Sequence, residues 1–286
     1  ARFKGKLKPE AINAMRESFG LTNDPILVQY TTYLKGIFQG ELGTSIAYFP
    51  EPVSEIIGRG LYWTIFLAGS SMIIAFTIGT TLGIIIAWNR TGRLDTILPP
   101  ALAFFGAFPY FWLAMVFLYI FGFSMNWFPI GRAYGNEVNP GLNLPFLLSA
   151  LYHAFLPALT LVFVSLGGWM LSMRNTMIST LGSDYITFAN AKGIPSRLIM
   201  LRYAARNAIL PNLTGFGMAL GFMLSGALLT EMIFSYPGQG FLLLQAVTGQ
   251  DYPLMQGIFM TITLAVLGAN WLVDIAILFL DPRTRK

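Results

Sequence analysis

The run LYWTIFLAGSSMIIAFTIGTTLGIIIA, residues Leu61–Ala87, contains no charged side chain. About 20 apolar residues in a helix suffice to cross the roughly 30 Å hydrocarbon layer of a bilayer. Backbone N–H and C=O groups cannot face lipid unpaired, so such a run is read as a membrane-spanning helix. Working outward, four further runs qualify: Leu98–Phe121, Leu151–Met173, Ala208–Phe234 and Leu254–Leu280. Pro109 and Pro157 are expected to kink or end their helices locally. Gly79 with Gly83, and Gly217 with Gly221 and then Ser225 one turn on, have the small-residue spacing that lets helix backbones approach, here chiefly within the chain.

Composition agrees. The hydrophobic fraction is 55% and the charged fraction 11%, against about 25% charged in an ordinary soluble domain. Cysteine is absent and histidine occurs once, which excludes disulfides and a His/Cys metal cluster. The net charge of +5 does not point to nucleic acid, because the basic residues flank apolar runs. The implied architecture is an all-α membrane bundle.

Orientation follows from those basic residues. Arg90 and Arg93 follow the first span, and Arg174, Lys192, Arg197, Arg202 and Arg206 lie between the third and fourth. Arg283, Arg285 and Lys286 follow the fifth. The opposite connections carry only Arg132, a ratio of ten to one. Basic residues concentrate on the cytoplasmic side, so the first set and the C-terminal tail 281–286 are predicted there. Parity then puts residues 1–60 outside, with the membrane domain at 61–280 and a cytoplasmic loop at 174–207. Residues 1–60 carry seven basic side chains and open with Ala1. A preceding membrane helix is therefore expected, making six spans in all. In the outer segment, Pro9–Phe19 has a short helical pattern and Gly40–Ser45 reads as a tight turn. Tyr62, Trp63 and Trp88 sit near span ends and read as interfacial anchors, as does His153.

The most informative polar stretch is Ser183-Asp-Tyr-Ile-Thr-Phe-Ala-Asn-Ala-Lys-Gly-Ile-Pro195. Ser183 suits an N-cap, and Asp184 suits the positive end of a helix dipole. Gly193 suits the left-handed residue after a helix, and Pro195 prevents its continuation. The spacing predicts a two-turn helix, too short to span, followed by a second helix from Ser196 through Arg202 and Asn207 to Pro211. A short helix carrying Ala189 and Ala191 is suited to entering a groove on another protein. It is equally suited to resting on lipid headgroups.

A resemblance decides between them. Asp184-Tyr185, Ala189-Asn190-Ala191-Lys192-Gly193-Ile194 and Arg206-Asn207-Ala208-Ile209-Leu210-Pro211 resemble the cytoplasmic loop of ABC importer permeases, closest to the peptide-permease branch. Leu42-Gly43-Thr44-Ser45, Phe128-Pro129-Ile130-Gly131, Phe234 to Gly240, Asp251-Tyr252-Pro253 and Leu280-Asp281-Pro282-Arg283 extend it over nearly the whole chain. The broader motif begins Glu-Ala-Ala where Thr187-Phe188-Ala189 stands, so no Glu contact is carried over. The resemblance implies a type I importer permease. Its partners would be a homologous second permease, two ATPase subunits and an extracytoplasmic binding protein, in a bacterial or archaeal plasma membrane. It implies that Asp184, Tyr185, Ala189, Asn190, Ala191, Lys192, Gly193 and Ile194 couple to the ATPase. Short peptides are the implied cargo, with oligosaccharides or nickel chelates as alternatives.

No GxxxxGK[ST] occurs, since Gly5-Lys6 is followed by Leu7. Nucleotide phosphates therefore have no recognisable cradle here, and ATP with its Mg is expected on partner subunits. No catalytic constellation stands out. Intramembrane acids are functional candidates by default. Glu231, near the outer end of the fourth span, and Asp274, inside the fifth, are accordingly candidates for the translocation path. They also keep a proton-coupled secondary carrier as a rival, although such carriers are commonly built from paired halves.

Overall fold

A computed structural model describes residues 24–280, without the side chains of 221–226, 273–274 and 276–280. The predicted pattern at Pro9–Phe19 lies outside the described residues. Among the described residues the chain is helical, with one isolated antiparallel bridge between Thr44 and Pro52. Helix α1 spans Ile26–Gln39 and ends at Gly40, whose φ of 82° is the left-handed cap that glycine adopts without strain. The turn predicted at Gly40–Ser45 follows, with Gly43 also left-handed.

Helix α2, Val53–Trp88, contains a π-turn at Ile65–Gly69 and begins eight residues before the predicted span. Helix α3, Arg93–Gly106, and α4, Tyr110–Ser124, meet at 96°. Pro109 supplies the break: it precedes α4 with an extended ψ of 131° and has no amide hydrogen to continue a ladder. Helix α5, Leu144–Leu181, runs on through Pro157, which neither ends nor divides it. Pro157 is buried in the bundle, where surrounding helices hold a backbone that has lost one internal hydrogen bond.

After α5 come the short helix α6, Asp184–Ala191, a turn at Ser196–Leu198, a π-segment at Ile199–Ala205, and α7, Arg206–Gly226. Helix α7 passes through Pro211 without stopping. The fourth predicted span is divided at Ala227, after which α8 covers Leu228–Ile233. Helix α9, Gln239–Gly249, lies in the connection between the fourth and fifth predicted spans, and α10 runs Tyr252–Leu280. Among the described residues, three helices (α2, α5 and α10) are long and apolar enough to cross a membrane. The bent pair α3–α4 makes a fourth if it counts as one span.

The central packing is α2 against α5. A Cβ at Gly79 would lie 2.7 Å from Trp169 Cβ, and one at Gly83 would lie 2.6 Å from the Met170 carbonyl. Both glycines thus act within the chain, as predicted; Gly221 and Ser225 of the second pair lie outside the described side chains. Asn212 of α7 is almost fully buried and ties three helices together. Its Oδ1 accepts from Ser172 Oγ at 2.5 Å, and its amide donates to Thr80 Oγ1 at 3.3 Å and to the Trp169 carbonyl at 3.3 Å. Trp63 departs from its expected anchoring role. It turns inward, stacked on Tyr134 and edge-on to Phe66, Phe146 and Tyr236, while Tyr62 stays exposed. His153 is half-buried, with Nδ1 2.8 Å from the Ser149 carbonyl.

Candidate functional site

Helix α6 has the length and ends that its sequence predicts. Ser183 precedes it in extended conformation, but its side chain makes no capping bond, so the position is right and the hydroxyl's expected role is not. The C-terminus is a Schellman cap. The amide of Gly193, at φ 72°, donates to the Asn190 carbonyl at 3.0 Å, and that of Ile194 donates to the Ala189 carbonyl at 3.3 Å.

One face of α6 is welded to the rest of the chain. Ile186 and Ala189 join a buried cluster with Ala87 of α2, Met173 and Met177 of α5, and Ile199, Ala204, Ala205 and Ala208 on the way into α7. Ile194 packs against the same cluster. This corrects the expectation for Ala189, whose small side chain permits close approach inside the chain and does not face a partner's groove. The weld makes α6 a rigid outgrowth of α5, separated from it only by Gly182 and Ser183.

The opposite face is open. Asp184, Tyr185, Asn190, Ala191, Lys192 and Gly193 are exposed. Phe188, singled out by nothing in the sequence beyond its position, is 61% exposed on the same helix. The Lys192 ammonium lies 4.6 Å from the centre of its ring, a cation–π contact at the helix end. Asn207 donates to the Tyr185 hydroxyl at 3.2 Å and to the Tyr203 carbonyl at 2.9 Å, linking α6 to α7. Arg206 and Pro211 are exposed on the same ascending segment.

The predicted path residues fare differently. Glu231 is fully buried in the chain's interior. Its Oε2 accepts the Gly240 amide at 2.7 Å, in the first turn of α9, where the positive helix end favours an anion. A Cβ on Gly238 would collide with the same carboxylate. Gln239 extends the arrangement: its amide donates to Thr64 Oγ1 at 2.8 Å and its side chain to the Ile57 carbonyl at 2.7 Å. Glu231 therefore ties α8 to the start of α9, and Gln239 fixes α9 against α2. The side chain of Asp274 lies outside the described residues. Among the described residues no three His, Cys, Asp or Glu side chains gather as a metal site.

On the opposite side of the bundle from α6, a cleft of about 460 Å³ opens between the turn at 45–50 and α9, lined by Ala47, Tyr48, Gln245, Thr248 and Gly249. The Tyr48 hydroxyl donates to Gln245 Oε1. Burial raises its phenol above the ordinary range, so it remains a protonated donor at neutral pH.

The family described as binding-protein-dependent transport system inner membrane component matches residues 79–286. A dipeptide transport system permease protein of Alkalihalophilus pseudofirmus is 35% identical over 294 residues, covering 97% of this chain and 86% of its own. An oligopeptide transport system permease protein of Bacillus subtilis is 32% identical over 283 residues, covering 97% of this chain and 87% of its own. With this kinship the secondary-carrier alternative falls away. The chain belongs to the family of binding-protein-dependent transport system inner membrane components, and it is a permease subunit of an ABC importer.

Proposed function

We propose that this subunit forms half of the membrane path of a di- and oligopeptide importer and couples it to ATP hydrolysis on partner subunits through α6. The cargo rests on relatives named for dipeptide and oligopeptide transport. The coupling reading rests chiefly on one observation: α6 buries Ile186 and Ala189 in its own chain and leaves Tyr185, Phe188 and Lys192 bare. Aromatic side chains flanked by a charge are well suited to filling a pocket on a partner. The working assembly has a homologous second permease, two ATPase subunits binding ATP and Mg below, and a peptide-binding protein above. The C-terminal tail is cytoplasmic in this arrangement.

In mechanism, closure of the ATPases around nucleotide displaces α6. Because α6 shares a core with α2, α5 and the start of α7, these helices move together and bias the path between inward- and outward-facing states. ATP can drive this only by binding one state more tightly than the other. The test is uptake by the full complex in proteoliposomes, with labelled di- and tripeptides set against a labelled oligosaccharide. Peptide uptake that requires ATP and the loaded binding protein is expected. Oligosaccharide uptake without peptide uptake would overturn the cargo assignment.

A further inference from the structure

Among the described residues two ion pairs form. Arg59 with Glu51 is exposed, where such a pair contributes little. Arg174 with Asp95 is different. Its Nε–Oδ1 distance is 2.6 Å, and the side chains are only 24% and 13% exposed. Asp95 stands in the first turn of α3 and Arg174 near the cytoplasmic end of α5, 79 residues away. The second carboxylate oxygen of Asp95 accepts the Thr91 amide at 3.3 Å, and Thr91 holds the α2–α3 elbow with a left-handed φ of 67°. One carboxylate thus grips the elbow and α5 together.

Arg174 also lies at the close crossing of α5 with α2. A Cβ at Gly83 of α2 would lie 3.0 Å from its amide nitrogen. One turn further on, Met177 enters the core shared with α6. A second tie lies deeper, where a Cβ at Gly167 of α5 would sit 2.9 Å from the Leu102 carbonyl of α3. Two attachments prevent α3 from pivoting on α5, and beyond α3 the chain turns through 96° into α4. Without the ion pair the deeper apolar packing of Leu98, Leu102 and Phe105 on α5 remains, while the elbow end of α3 loses its polar tie and is free to lag.

We propose that Asp95 and Arg174 are positioning residues for transport: the pair makes the α2–α3 elbow travel with α5 when α6 is displaced. The proposal rests on the coupling reading of α6, and its test separates the two. The chain has no cysteine, so spin labels can be placed through Leu94→Cys on α3 and Ser179→Cys on α5 in the assembled complex. With the native pair, the label–label distance is narrow and identical without nucleotide and with trapped ATP. Asp95→Asn or Arg174→Gln broadens it or makes it nucleotide-dependent. Transport of a labelled tripeptide per ATP hydrolysed falls about fivefold or more. The exchange Asp95→Arg with Arg174→Asp restores the tie between α3 and α5, though not the acceptor for Thr91, and recovers both readouts in large part; it also serves if a single variant fails to assemble. A distance as narrow in Asp95→Asn as in the native complex, or no recovery in the assembled exchange variant, would overturn the proposal. Phe188→Ala tests the parent reading alone, since it alters ATPase stimulation and leaves the 94–179 distance narrow.

Discussion

Ser45 and Asp251, 206 residues apart, share a fully buried hydrogen bond of 2.5 Å from the serine hydroxyl to the carboxylate. The same oxygen, Oδ2, accepts the Ala47 amide at 2.9 Å, and Oδ1 accepts the Leu254 amide at 3.1 Å. Asp251 therefore caps α10 and clamps the turn at 45–47 in one step. Replacing it with Ala orphans three donors, and Asp251→Ala is expected to destabilise the subunit by about 2–4 kcal/mol. Asp251→Asn, which keeps an acceptor, should lose less. Thermal unfolding of the purified complex reads this, and an unchanged midpoint in Asp251→Ala would count against the clamp.

Two glycines of the long helices α2 and α5 make a matched pair. A Cβ at Gly83 meets Met170 O, Met173 Cβ and Arg174 N within 3.0 Å, whereas one at Gly168 meets nothing within 4 Å. Gly83→Ala should force α2 from α5 and destabilise by about 1–3 kcal/mol, as overpacking does. Gly168→Ala should be neutral or slightly stabilising, because Gly is the weaker helix former. Equal thermal midpoints for the two variants would refute the close crossing.

Much of this was legible before the structure. Long uncharged runs specify helices in lipid, and Gly193 before Pro195 specifies where α6 stops. Helices α1 and α9 escaped notice because ILVQYTTYLKGIFQ and QGFLLLQAVTG are too short to span and lack a strong start signal. The structural role of Glu231 was hidden for a physical reason. A lone acid in an apolar run reads as functional, and only the folded chain reveals that it meets the end of a helix nine residues later. The Asp95–Arg174 tie was equally hidden, since charge pattern gives the side of the membrane but not the partner. Phe188 sits in a motif where alanines drew attention, yet it is the side chain left bare.

Orientation can be checked directly. The ten-to-one bias of basic residues predicts that Leu94 and Lys192 face the cytoplasm and that Glu137 and Thr248 face outward. All four are exposed, and the chain lacks native cysteine. Single substitutions Leu94→Cys, Lys192→Cys, Glu137→Cys and Thr248→Cys should react with an impermeant thiol reagent in whole cells only at 137 and 248. Reaction at 192 in intact cells would invert the topology.

The two faces of α6 predict opposite failures. Ala189 is 2% exposed and lies among Met173, Met177 and Ala205, so Ala189→Trp should disrupt the core that α6 shares with α5 and reduce the yield of folded subunit. Gly193→Val places a β-branched residue at φ 72°, which should loosen the end of α6 by about 1–2 kcal/mol while leaving the spans intact. Phe188→Ala removes an exposed ring that the fold does not use. It should leave folding and membrane insertion unchanged and weaken ATPase attachment, or separate hydrolysis from the arrival of loaded binding protein. Lys192→Glu should act in the same direction, because it removes the cation above the ring and reverses the local charge. If α6 merely rested on lipid headgroups, losing Phe188 would loosen the helix from the membrane and leave ATPase stimulation untouched. The deciding measurement is ATPase activity of the reconstituted complex with and without loaded binding protein, beside the amount of ATPase retained on purification. Native retention and native stimulation in both Phe188→Ala and Lys192→Glu would remove this face from the coupling mechanism.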